Sequence, residues 1–185
     1  MNTRKPDQTP SRRNWAQALE RGGFLRSVAG DEDFAAAEHA FDLMSTSGKG
    51  IIVTGEYGVG KTQLARAIIA NMTRPPVCVT LTDTVDTDKL SKEWIRNYRL
   101  YSRSVFLDDL GAEKPTNEYG VITDPAADFI VNYHAHWNGA SLIIITTNLT
   151  TDEIDARYGG RVLSRLKDLC VPLHLTGEDK RKWER

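Results

Sequence analysis

The stretch "GEYGVGKT", Gly55 to Thr62, decides the reading of this chain. It follows the short apolar run "IIVT" and precedes "QLARAIIANM", a helical pattern. Its spacing is the complete G-x-x-x-x-G-K-[ST], set between a strand and a helix as a phosphate cradle requires. Glycines there let backbone N–H groups turn inward, and the helix that follows adds the positive end of its dipole. Alone, the stretch would be a glycine turn beside a lysine. The full spacing in its strand–loop–helix setting selects a nucleotide loop instead. The expected binding set is Gly55, Gly58, Val59, Gly60, Lys61, Thr62 and Gln63. Lys61 would reach the β- and γ-phosphates of ATP, and Thr62 would hold Mg2+ through its hydroxyl.

Outward from this loop, further strand-length apolar runs recur at "VCVTL", "SVFLDDL", "SLIIITTN" and "VPLHL", with helical patterns between them. Their apolarity is continuous rather than alternating, which marks strands buried on both faces. The fold expected is α/β, a P-loop NTPase with a five-stranded parallel sheet flanked by helices. Upstream, "NWAQALERGGFL" predicts a short helix stopped by Gly22 and Gly23. "DEDFAAAEHAFDLM" predicts another, with Phe34, Ala37, Phe41 and Met44 at helical spacing and "STSGKG" as its break. The first dozen residues are polar, basic and proline-containing, and predict a disordered tail.

Composition limits the alternatives. With 185 residues, 40% hydrophobic and 26% charged, the chain suits one globular domain with its own core. A net charge of -1 argues against a uniformly basic nucleic-acid binder but leaves room for local patches, so charge must be read segment by segment. Cys78 and Cys170 both lie in apolar runs and are expected as small core residues in a reducing cytosol. No apolar run is long enough for a membrane span, and no secretion signal precedes the domain, so a soluble cytoplasmic protein is expected.

A nucleotide loop needs acids at the end of a buried strand. In "SVFLDDLG", Asp108 and Asp109 emerge at the carboxyl end of Val105–Leu107, where open α/β sheets bind ligands. Asp108 is the candidate magnesium ligand, and Asp109 the candidate base for the attacking water. Asn148 ends "SLIIITTN" and is the candidate contact to the γ-phosphate or the water. Thr150 and Glu153 form the pattern of a capping box, so part of this polar cluster is structural. Further on, "RYGGRVLSRL" places Arg161 and Arg165 four residues apart, on one face of a helix.

Taken in order, "GEYGVGKTQLA", "FLDDLGAE", "IITTNLT" and "EIDARYGGRVLSRL" resemble the DnaC/IstB-like AAA+ ATPases, helicase loaders and transposition helpers of bacteria and phages. The last element is the most specific. The resemblance implies a slow ATPase, stimulated by DNA or a partner, with Asn148 as sensor 1 and Arg165 as an arginine finger. Arg161 would support the same subunit interface. It also implies self-association, binding to single-stranded DNA and a DnaB-type replicative helicase as partner. The division implied is a basic extension over 1–30, an AAA+ core over 31–176 and a charged tail over 177–185. The sequence departs from the family's pattern in that a helical lid is expected to be missing or vestigial; Arg181 is read as part of a solvated basic tail, with a sensor 2 role as the alternative.

Between the second and third strands, Lys89, Lys92, Arg96, Arg99 and Arg103 align on one side of a helical wheel. Leu90, Trp94, Tyr98 and Tyr101 fall opposite. Such a stripe is either a solvated helix face or a track for a phosphate backbone. The resemblance puts the track level with the solvated face, because the family's corresponding insertion faces the oligomer axis; both readings stay open. The four histidines are dispersed and imply no metal site. A small P-loop kinase remains the alternative of another class, although it would need an acceptor pocket and cationic lid residues. An IstB-like transposition ATPase would share the whole site and differ in its partner.

Overall fold

A computed structural model describes residues 15–82, 90, 103–118 and 121–180. Three helices lead in: α1 (Trp15–Arg21), α2 (Arg26–Ala29) and α3 (Asp31–Ser47). The sheet region follows as β1 (Gly50–Gly55), α4 (Lys61–Ala70), β2 (Val77–Thr80) and β3 (Val105–Leu110). Next come the small strands β4 (Thr116–Glu118) and β5 (Val121–Thr123), then α5 (Pro125–His136) and β6 (Ile143–Thr147). The described fold closes with α6 (Thr151–Tyr158), α7 (Gly160–Leu169) and β7 (Cys170–Leu175).

The main sheet has five strands in the order β2-β3-β6-β1-β7, and every pairing is parallel. Parallel strands need crossovers, and the helices that supply them cover both faces. Side chains alternate between those faces along each strand. Ile51, Val53, Phe106, Ile144 and Leu173 join the core with Phe34, Phe41, Leu64 and Ile68 of α3 and α4. Their neighbours Ile52, Val105, Leu107, Ile143 and Ile145 join the opposite core with Phe129, Ile130 and Leu166 of α5 and α7. Unbroken apolar runs in the sequence are therefore two interleaved faces.

This is the five-stranded parallel α/β fold expected, with all five expected strands and the first two expected helices in place. The positions expected on the inner face of α3, Phe34, Ala37, Phe41 and Met44, are all buried. The helix ends within "STSGKG", as expected, at its first glycine, Gly48. It runs through Ser45, Thr46 and Ser47, whose hydroxyls bond back to carbonyls at Asp42 and Leu43. α1 is part of the packed structure, since Trp15, Ala18 and Leu19 enter the first core.

Cys78 is a correction. Cys170 is buried, but Cys78 is exposed, because β2 is the edge strand and only Val79 in it is fully covered. The antiparallel pair β4–β5 had no sequence signal, as "TNEYGVIT" lacks alternation over its three-residue strands. Trp94, Tyr98, Tyr101 and the stripe residues Lys89, Lys92, Arg96 and Arg99 lie outside the described residues. Of that segment Leu90 is buried and Arg103 is exposed. Among the described residues, no helix is long and apolar enough to cross a membrane.

Phe129 tests the second core. It is 1% exposed and packs against Tyr133 with ring centroids 5.6 Å apart. Phe129→Ala should destabilise the fold by about 3–5 kcal/mol in urea denaturation. A loss below about 1 kcal/mol would show that α5 does not anchor this face.

Candidate nucleotide site

The carboxyl ends of β1, β3 and β6 meet at one edge of the sheet, where the strand order switches and a crevice opens. A cleft of about 580 Å³ lies there, lined by Gly58, Gly60, Lys61, Thr62, Gln63, Asp109 and Asn148 among others. That volume suits a nucleotide-sized ligand. The loop between β1 and α4 forms its floor. Gly58 has φ 79°, a left-handed conformation that favours glycine, and a Cβ on it would displace the Asp179 carboxylate. Lys61, at the start of α4, is 6% exposed, and its ammonium donates to the carbonyls of Gly55 and Glu56 at 2.8 and 2.6 Å. Val59, within the loop, is buried in the first core. Gln63 donates to the Gly23 carbonyl at 2.8 Å and so fixes the segment between α1 and α2 at the cleft's rim.

The acidic strand end is more specialised than its sequence implies. The β3–β6 register shifts between Leu107 and Leu110, a bulge in the strand. Asp109 sits in this irregularity with φ 62°, the one positive φ among the described non-glycine residues. Aspartate tolerates this left-handed conformation better than most side chains. The consequence is that two consecutive carboxylates serve the same edge. Asp109 lines the cleft, while Asp108 Oδ1 accepts the hydroxyls of Thr62 at 3.0 Å and Thr146 at 2.6 Å. The Thr146 hydroxyl in turn accepts the Asp109 backbone N–H at 2.9 Å.

Asn148 follows β6 directly and lines the cleft. The capping box beside it is present: Glu153 N–H donates to the Thr150 hydroxyl, and Thr150 N–H to the Glu153 carboxylate at 2.8 Å. The Thr150 N–H and hydroxyl, both donating to the Glu153 carboxylate, lower that carboxyl below its ordinary pKa.

The arginines of "RYGGRVLSRL" lie elsewhere. α7 buries Val162, Leu166 and Leu169, leaving Arg161 exposed and Arg165 half-buried. Neither lines the cleft of its own chain, and neither bonds to any other described residue.

Lys180 was missed in the sequence. Asp33, buried at the start of α3, accepts the N–H groups of Thr176 and Gly177 and turns the chain after β7 across the nucleotide loop. Lys180 N–H then donates to the Gly58 carbonyl at 3.1 Å and its ammonium to the Val59 carbonyl at 2.8 Å, inside the cleft. Burial lowers the Lys180 pKa, against the opposing pull of Asp33. A lysine in "TGEDKRKWER" carries no motif, and Arg181, nominated from the same run, lies outside the described residues.

Fold and site together define a nucleotide-binding P-loop protein. The family model for the "ATPase family associated with various cellular activities (AAA)" matches residues 51–167, more than half of the chain, and the chain belongs to that family. No curated protein matches the sequence. Among solved structures, NtrX from Brucella abortus in complex with ATP is similar, with a TM-score of 0.45 and 16% identity. The match covers 94% of this chain and 40% of that one, so the chain spans less than half of NtrX's length.

Lys61 and Asp109 are separable by experiment. Lys61→Ala should abolish most ATP binding, measured by calorimetry or a fluorescent analogue. Asp109→Asn keeps a residue that tolerates positive φ, so it should fold and bind ATP while hydrolysis falls by about 10²-fold or more. Normal turnover by Lys61→Ala would contradict the site assignment.

Proposed function

We propose that the chain is an ATP-hydrolysing subunit of a self-assembling helicase loader of the DnaC/IstB type. The observation that carries the ATPase part is the convergence of Lys61, Asp109 and Asn148 on one cleft, with Arg165 held outside it. Lys61 holds the phosphates once they replace its loop carbonyls. Asp109 orients and deprotonates the attacking water, and Asn148 contacts the γ-phosphate or that water. Leu25 and Val28, exposed apolar residues at the cleft, offer a wall for the base.

Magnesium fits the oxygen donors present. The Thr62 hydroxyl and Asp108 carboxylate lie 3.0 Å apart at the cleft edge and would hold the ion together. When bound, the ion neutralises phosphate charge during transfer.

Arg165 acts on a neighbouring subunit's nucleotide in this reading. Its support is the exposed face of α7 and the absence of Arg165 from the lining of its own cleft. The loader role rests on the motif order and on the basic stripe as a single-stranded DNA track. A pull-down with a replicative helicase against one with a transposase distinguishes loading from transposition.

The test is complementation between two inactive chains. Arg165→Ala should fold, bind ATP and lose turnover by about 10³–10⁵-fold, or less for a slow enzyme. Mixed with Lys61→Ala, whose Arg165 is intact, it should regain turnover at mixed interfaces. Arg161→Ala should weaken assembly more than chemistry. A mixture that co-assembles yet stays inactive would remove Arg165 from the mechanism.

A further inference from the structure

Four residues after Asp109, the Glu113 side chain is fully enclosed, at 0% exposure. Its Oε2 accepts the Gly111 N–H at 2.9 Å, and its Oε1 accepts the Tyr158 hydroxyl and lies 3.3 Å from Arg157 Nη2. Arg157 Nη1 donates to the Gly111 carbonyl, and Nη2 donates to the Glu113 carbonyl at 2.7 Å. Both backbone polar groups of Gly111 are thus held by one ion pair. Gly111 has φ 104°, and the Ala112 N–H closes the same turn onto the Asp109 carbonyl at 3.0 Å.

The pair also reaches the neighbouring helices. Arg157 Nη2 is 3.6 Å from Asp124, which caps α5 by accepting the Ala126 and Ala127 N–H groups. Arg157 and Tyr158 are the last residues of α6, and only Gly159 separates them from α7 and its arginines. A buried carboxylate is costly unless its partners are complete, so Glu113 and Arg157 make a rigid joint rather than an adjustable surface pair. Arginine's planar fork suits it, because one guanidinium must meet two carbonyls and a carboxylate together.

We infer that Glu113 and Arg157 are positioning residues for ATP hydrolysis: together they hold the turn that keeps Asp109 left-handed, and they set α7 against the end of β3. The inference rests on Asp109 being the hydrolytic acid. A misplacement of about 1 Å at such a group costs about 10²-fold in rate, while the phosphate loop, on other elements, is untouched.

The experiment uses the full chain under assembling conditions, with ATP and magnesium. Glu113→Gln, Arg157→Lys and the milder Tyr158→Phe are compared for folding by circular dichroism, for ATP affinity, and for single-turnover rate. The expected result for Glu113→Gln and Arg157→Lys is ATP affinity within about threefold of wild type and a turnover loss of about 10²-fold. Tyr158→Phe should lose less, because the ion pair remains. The double variant of Glu113→Gln with Arg157→Lys should be little worse than the worse single, because both break one joint. Folded variants with wild-type turnover, while Asp109→Asn is inactive, would overturn the positioning role alone. If Asp109→Asn is itself fully active, the reading of Asp109 falls and this inference falls with it. Loss of folding in all three variants would make the cluster purely structural and would also overturn it.

Discussion

The Thr146 hydroxyl is the point on which the site depends. Thr146 is fully buried on β6, donates to Asp108 at 2.6 Å and accepts the Asp109 N–H at 2.9 Å. A straight parallel strand would send consecutive side chains to opposite faces. The bulge prevents that here, and the threonine of the neighbouring strand supplies the partner for the displaced N–H. Without it this part-buried donor would lose that hydrogen bond, at a cost of about 1 kcal/mol. One hydroxyl therefore satisfies the irregular backbone and orients the acid that faces Thr62.

The surrounding fold is what allows such an irregularity. Both faces of the sheet are sealed by helices, so β1, β3 and β6 are fixed in register from below, and distortion is confined to their carboxyl ends. At that edge each strand contributes one group: Lys61 through the loop after β1, Asp109 from β3 and Asn148 after β6. The same edge extends through Gly111, Glu113 and Arg157 to α7. The joint therefore links the strand end that faces the cleft with the helix that carries Arg161 and Arg165.

Much of this was legible in the sequence because it rests on local spacing. "GEYGVGKT" names its glycines and lysine in a fixed order, and continuous apolar runs announce strands covered on both sides. The inner face of α3 followed from periodicity alone. What was not legible depends on distant partners. The left-handed Asp109 requires Thr146, 37 residues away, and the enclosure of Glu113 requires Arg157, 44 residues away. Lys180 reaches the cleft only because Asp33 turns the chain, a contact spanning 143 residues. Cys78 was misread for a related reason: apolar neighbours indicate a strand, whereas its place at the sheet's edge is a matter of strand order. Between the second and third strands, the stripe of Lys89, Lys92, Arg96 and Arg99 remains a proposal from spacing and resemblance.

The most direct measurement compares Thr146→Ser with Thr146→Val in single-turnover ATP hydrolysis at saturating nucleotide. Serine keeps the hydroxyl and should hydrolyse ATP within a few-fold of wild type, by about the cost of a lost methyl. Valine keeps the shape, removes both hydrogen bonds, and should bind ATP through Lys61 yet lose hydrolysis by about 10²-fold. Equal turnover by serine and valine variants, with both folded, would contradict the claim that this hydroxyl sets the catalytic strand end.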